Sequence, residues 1–401
     1  MRELEFSERT LRRQWQLVNQ WFENLNPDAS EPVEQLLALV QATLEMSLQL
    51  HRHRHLSEFR AHGVWDKANG YYTRSLDTTF GSVPQLRVPR LRQGLLPPLW
   101  FRRYQRRWQK VDRLVLQCFL GGLSTRKAAK ILNRHFGWGL SPSLVSRLAS
   151  HLHEALQRYQ HCALHDQYVA LIVDGAWYRF RQLQGPKRVV LAVLGVKPDR
   201  TVVLLGFHVA RSESSLDVAR LLRDLKARGL SGRRLELLVA DGAGGIEAAA
   251  AEVYPWARLQ RCCWHQLQLL RTHASGQKIA RCLMREAARC YHSTDARQVQ
   301  RNLQAFLARW RTRQPCAIRA FATDLDKTLT YLRLPPELHR SLRTTNLLER
   351  LIRELRQRTK LIGSFDQPVH LEQLLLGTIV QSTWIQLPVT LQPLLTPDTI
   401  I

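Results

Sequence analysis

Three carboxylates in this chain sit in settings that could seat divalent cations. Asp174 ends the apolar run Val169-Ala170-Leu171-Ile172-Val173, Asp241 ends Leu235-Glu236-Leu237-Leu238-Val239-Ala240, and Glu349 falls in a helix-like stretch from Asn346 to Lys360. Both aspartates precede a glycine, Gly175 and Gly242, so each is expected where a buried strand opens into a turn at the rim of a sheet. Phosphodiester cleavage and strand transfer build charge on both the attacking and the departing oxygen, and two divalent ions about 3.5–4 Å apart stabilise both. Mg2+ prefers oxygen ligands and keeps several waters, so two aspartates and a glutamate suffice, with phosphate completing the shells. Asp174 would hold both ions, Asp241 one and Glu349 the other; Mn2+ is the substitute ion.

Either Asp-Gly pair alone reads as an ordinary turn dipeptide. The weight comes from finding two of them at equivalent ends of strands expected to be neighbours. For the third ligand the residues leave rivals open: Glu213, Glu286, Asp324, Asp326, Glu337 and Glu354. At about 100° per residue, Glu349, Arg353, Arg356 and Lys360 share one helical stripe, beside an apolar face of Leu348, Leu351, Ile352 and Leu355. An acid heading a row of cations suits a helix that holds metal and grips a phosphate backbone. The plainer reading is an exposed Glu-Arg pair worth roughly 0.2–0.5 kcal/mol.

These acids need a scaffold, and the surrounding chain supplies its elements in a definite order. Residues 167–173, 187–196 and 201–210 have strand character, then come a helix at 214–228, a strand at 234–240, a helix at 245–253 and a short strand at 257–262. That order is the order of an RNase H-like mixed sheet, in which the first and fourth strands are adjacent and Asp174 and Asp241 converge. The expected fold is therefore an α/β catalytic core with an all-helical insertion, preceded by helical DNA-binding domains. The divisions are 1–69, an N-terminal helical region with helices at 7–25 and 34–55; 70–160, a helix-rich DNA-binding domain; 165–264 with 344–365, the catalytic core; 265–343, the insertion; and 366–401, a helix and tail.

The chain carries 59 Lys+Arg against 33 Asp+Glu, a formal charge of +26, over 401 residues that are 45% hydrophobic. Such a chain can bury sizeable cores, and its charge calls for a polyanionic partner, double-stranded DNA. No run of about 18 uncharged apolar residues occurs and no signal-type apolar segment comes after Met1, so no membrane partner is expected and the location is cytoplasmic. Seven irregularly spaced cysteines suit free thiols.

DNA contacts are expected in three places. Residues 71–90 read as a hairpin broken at Gly81-Ser82, and in the adjoining 100–113 stretch Arg102, Arg103 and Arg106 interleave with Trp100, Tyr104 and Trp108, whose spacing places them on one helical face. Ser124 and the Ser141-Pro142 pair each start a helix, giving a helix-turn-helix over 124–150 with Arg126 on the first helix and Ser143, Ser146 and Arg147 toward base edges, although the 135–140 connection is longer than usual. Arg353, Arg356 and Lys360 form the third.

Several segments resemble the Mutator-like bacterial insertion-sequence transposases, enzymes with an Asp-Asp-Glu triad. They are Leu86-Arg87-Val88-Pro89-Arg90-Leu91-Arg92, Arg103-Tyr104-Gln105-Arg106, Gly122-Leu123-Ser124-Thr125-Arg126, Val239-Ala240-Asp241-Gly242, Gln260-Arg261-Cys262-Cys263-Trp264-His265 and Arg343-Thr344-Thr345-Asn346-Leu347-Leu348-Glu349-Arg350-Leu351, in the family's order. The resemblance implies that Asp174, Asp241 and Glu349 are the triad, 67 and 108 positions apart, and that Arg356 matches the basic position kept on the catalytic helix, where it would contact the element's end. It implies a bacterial, nucleoid-associated transposase that binds the terminal inverted repeats of an insertion sequence as a homodimer or larger homo-oligomer, and that cuts and joins these ends and target DNA with Mg2+. The chain departs from the family at Ile352, where asparagine is common, and in its last residues. Cys262 and His265 form a C-x2-H pair also seen in the family; the spacing is not that of a zinc finger, and the pair is expected to pack beside the triad with His265 near the scissile phosphate. Rival readings are an RNase H-like nuclease or resolvase, and a DNA-binding protein that has lost catalysis.

Overall fold

The computed structural model describes residues 32–102, 104–179, 187–362, 368–380 and 382–388; the helix expected at 7–25, Arg103 and the end of the tail lie outside them. The chain forms two compact units, one from the N-terminus to Phe119 with Leu123–Ala149, the other comprising Leu120–Gly122 and the chain from Ser150 onward.

In the first unit, helix α1 (Pro32–Ala61) packs on an antiparallel hairpin of β1 (Ala68–Thr78) and β2 (Gly81–Leu91). Leu44 and Leu48 from the helix meet Leu76, Val83, Leu86 and Val88 from the strands. The turn is Thr79-Phe80 rather than Gly81-Ser82: Gly81, at φ +147°, opens β2 opposite Thr78, whose hydroxyl donates to the Gly81 carbonyl at 2.8 Å. The described residues of the 100–108 stretch are not helical, contrary to its spacing. The hairpin takes its backbone instead, with Asp77 N–H donating to Arg106 O (2.9 Å) and Trp108 N–H to Asp77 O (3.0 Å), while Phe101 and Trp108 pack against the hairpin core. Those backbone groups cannot also form an intrahelical ladder. Helix α2 (Gln109–Leu120) starts only after Trp108.

Helix α3 (Thr125–Phe136) begins at Ser124, which accepts from Lys127 N–H, and ends at Gly137, left-handed at φ +65°. Helix α4 (Pro142–His161) starts with Ser141 accepting from Leu144 N–H. The connection between them is ordered by Asn133, whose side chain bonds both N–H and C=O of Leu140, and by Trp138, which is buried and donates to Thr78 O at 3.0 Å.

The second unit is built on a five-stranded mixed sheet of β3 (Ala170–Tyr178), β4 (Arg188–Val196), β5 (Val202–Ala210), β6 (Leu237–Ala240) and β7 (Arg258–Arg261), ordered β5-β4-β3-β6-β7. The first three strands are antiparallel, and β6 and β7 join in parallel. Nearly every residue of β4 is buried, which requires cover on both faces. Helix α5 (Ser215–Ala227) lies against β5 and against α6 (Gly244–Val253). From Cys263 the chain is helical through α7 (Cys263–His273), α8 (Gln277–Cys290), α9 (Ala296–Trp310), α10 (Pro315–Ala322), a 3-10 segment (Leu325–Arg333) and α11 (Pro336–Leu342). Helix α12 (Asn346–Ile362) then returns to β3 and β4, and α13 (Pro368–Val380) packs on β5 and α12. Gln386 bridges to the β5 edge through two backbone bonds of 2.9 Å.

The long helical excursion is stitched shut where it leaves and rejoins the sheet. Cys263 N–H donates to Arg343 O at 2.9 Å, and Thr345 N–H points to Cys262 Sγ at 3.3 Å. Buried Gln260 and Gln266 fasten it further: Gln260 bonds Thr328 O and Tyr331 N, and Gln266 bonds Phe321 O and Thr323 O. All seven cysteines are unpaired thiols. Among the described residues no helix is long and apolar enough to cross a membrane.

Candidate active site

The parallel pairing of β3 and β6 keeps one constant offset, Ala170 opposite Leu237 and Ile172 opposite Val239. Two residues further on, that same offset puts Asp174 level with Asp241. Beyond the two acids the strands diverge. β6 stops at Ala240, Asp241 accepts from Ala243 N–H at 2.8 Å, and Gly242 takes φ +96°, a turn as expected. β3 does not turn: Asp174 pairs with Ala192 and Gly175 with Leu191, and the strand continues to Tyr178. The parallel pairing ends at Ile172, so Asp174 lies just beyond the last β6 partner of β3 while still paired with β4.

Gly175 therefore serves a different purpose from the one its turn propensity suggests. A Cβ there would collide with Oε1 of Glu213 and come within 2.8 Å of Val189 Cγ2. Glu213, on the loop after β5, occupies that space with the Trp177 side chain bonded to its carboxylate. Burial, then the charge of Asp241, raises the pKa of this acid, with Trp177 opposing. In the sequence Glu213 is only a rival for the third ligand; its position one residue before the helix-capping Ser214 is the signal available.

Glu349 sits in the first turn of α12, whose Leu348, Leu351, Ile352 and Leu355 are buried as their helical stripe predicts. Its Oε1 lies 3.4 Å from Thr345 Oγ1 and 4.0 Å from His265 Nε2. Asp174, only 8% exposed, accepts from Gly175 N–H. Desolvation raises its carboxyl to about 7 against that hydrogen bond, helped by the negative charges of Asp241 and Glu349 and opposed by His265. The charges of Asp241, just past β6, and Glu349, on α12, thus both reach Asp174 on β3.

Cys262 and His265 border the group. The imidazole is raised to about 9, first by its bond with Cys262 and against burial, with Asp174 and Asp241 adding to the rise, so it is a cation at neutral pH. Burial would push the Cys262 thiol up, but His265 and the N–H of Thr345 outweigh it and hold it below its ordinary value. Among the described residues no three His, Cys, Asp or Glu side chains are gathered closely enough to cage an ion by themselves. The donor set still fits Mg2+: hard carboxylate oxygens, one pair of them buried, for an ion that commonly takes one or two carboxylates plus water and phosphate.

Of the expected DNA contacts, Arg353, Arg356 and Lys360 are exposed along α12, with Arg356 beside Tyr178, whose phenol burial pushes up to about 12 against the guanidinium's pull. In the first unit Arg102, Arg106, Arg126, Ser143, Ser146 and Arg147 are all exposed, the first two on the irregular 100–108 stretch.

A family model described as "Transposase, Mutator family" matches residues 15–386. The chain belongs to that family. It is 33% identical over 298 residues to a transposase for insertion sequence element ISRM5 of Rhizobium meliloti, covering 74% of each chain. It is 28% identical to the transposase for IS905 of Lactococcus lactis, covering 76% of this chain and 79% of that one. With the transposase for IS256 in transposon Tn4001 of Staphylococcus aureus it shares 29% identity over 74% and 76% of the two chains. The Mutator family match spans both structural units and all three acids.

Proposed function

We propose that this Mutator family member binds the terminal inverted repeats of an insertion sequence and cuts and joins DNA strands with Mg2+, on a sheet of RNase H-like order. What supports the reading is the constant offset of the parallel β3 and β6, which carried on past the last pair would bring Asp174 level with Asp241 just beyond β6, together with the charge of Glu349 on α12 reaching Asp174. Asp174, Asp241 and Glu349 would hold the ions, which when bound stabilise charge on the attacking and leaving oxygens.

The chain's own groups do the rest. The backbone N–H of Gly175 and Ala243 orient the two aspartates, and Thr345 steadies Glu349. His265, cationic beside Glu349, supplies a positive charge for the phosphate, and Arg353, Arg356 and Lys360 extend it along the backbone. A 3′-hydroxyl or water attacks phosphorus directly, without a covalent protein intermediate, and two ends handled together imply a homodimer or larger assembly.

A strand-transfer assay with oligonucleotides carrying the element's ends tests the reading. Joined products that vanish in Asp241→Asn, with DNA retention unchanged, are the expected result. Cutting without joining would replace the transposase with a nuclease, and retention without cutting would leave only a binding protein.

A further inference from the structure

Away from the acids, the hairpin unit holds a groove of about 1020 Å³ between the strands and the 92–101 loop. Arg74, Arg90, Arg92 and Arg106 line it, and among the described residues no carboxylate does. Between the arginines the lining is apolar and aromatic, including Tyr72, Leu95 and Phe101. Tyr72 is 39% exposed, and the Arg74 guanidinium lies over the Phe101 ring at 4.7 Å, a flat cationic platform.

The walls are fixed in place. Buried Asp66 accepts from Gln93 and Gly94 N–H at 3.0 and 2.9 Å, Trp100 donates to Ser47 Oγ at 2.9 Å, and His51 bonds Pro97 O at 3.1 Å. A hollow this size, at the top of the roughly 300–1,000 Å³ that holds a drug-sized ligand, is preorganised for more than one flat group.

We propose that this groove takes unpaired nucleotides of a DNA strand, stacking bases on Tyr72 and the Arg74–Phe101 platform while the exposed Arg90, Arg92 and Arg106 hold the phosphates. The intact duplex presents only phosphates and groove edges to a protein and has no use for an apolar hollow. Unstacked bases have apolar faces and keep their phosphates within reach, and such stacking tolerates any sequence. The partner class rests on the reading of the chain as a DNA strand-processing enzyme, which exposes single-stranded ends.

The test uses the full chain with three fluorescent DNAs of arbitrary sequence: a blunt duplex, the same duplex with a short 3′ single-stranded extension, and that extension carrying 2-aminopurine. The extended duplex should bind about tenfold or more tighter than the blunt one, with quenched 2-aminopurine emission. Tyr72→Ala should weaken the extended duplex about 5- to 100-fold, abolish the quenching and leave the blunt duplex unchanged, and Tyr72→Phe should restore all three readings. Equal affinity for the two duplexes, an equal loss on both in Tyr72→Ala, or stronger competition by single-stranded RNA than by DNA would overturn the proposal. A protein that joins strands yet does not discriminate the duplexes refutes the groove alone; one that discriminates yet never cuts or joins refutes the functional reading alone.

Discussion

Asp174 is a carboxylate where water solvates it poorly and two further acids repel its charge. Its folded value of about 7 lies above its ordinary 3.8, so the folded state binds more protons than the unfolded chain between these values. Stability of the metal-free protein should therefore fall as pH rises from about 4 to about 7 and stay low above that. Asp174→Asn should melt several degrees higher than the parent at about pH 8 in chelator, the gap closing toward pH 4; thermal unfolding across pH checks it, and equal melting at pH 8 would contradict it. Glu213 and Gly175 form a second residue-scale pair. Gly175→Ala should cost about 1–3 kcal/mol by forcing Glu213 and Val189 aside, and adding Glu213→Ala should remove the Glu213 share of that cost while leaving the Val189 share, a coupling measurable as a denaturant double-mutant cycle. Asp174 and Asp241 stand out in the sequence because apolar runs stop at them, whereas Glu349, inside an amphipathic helix, is singled out from its rivals by the family resemblance. Glu213 does not stand out, because its role depends on a side chain crossing to a glycine on another strand, which leaves no local pattern.

At the scale of elements, α12 carries Glu349 to the sheet through a buried face that includes Leu348, which is fully enclosed. Leu348→Ala should cost about 2–5 kcal/mol in denaturant unfolding, and it should reduce joining more than DNA retention, since the helix positions the acid while exposed cations grip the backbone. Strand order and helix periodicity could be read from the chain because burial repeats at two and at about 3.6 residues. The reading failed at 100–108, where Trp100, Tyr104 and Trp108 have helical spacing but the hairpin strand captures the neighbouring backbone. It also failed at the end of β3, where an Asp-Gly pair that favours a turn stays in a strand held by β4 along its whole length. Both failures are long-range hydrogen bonding overriding local preference.

For the whole molecule, exposed cations occur in both units, from Arg102, Arg106, Arg126 and Arg147 in the first to Arg353, Arg356 and Lys360 in the second. If roughly six to ten phosphates are contacted, affinity for duplex DNA should drop about 10³–10⁵-fold between roughly 50 and 200 mM salt. A titration at several salt concentrations checks this, and a shallow slope would mean that the formal charge of +26 is mostly spectator. The constant offset between β3 and β6 carries a consequence for tinkering with the chain. The length of chain running between the two strands sets only the route from one to the other, whereas a single residue added inside β3 ahead of Asp174 would swing that acid to the sheet's far side. Path length is negotiable here; parity is not.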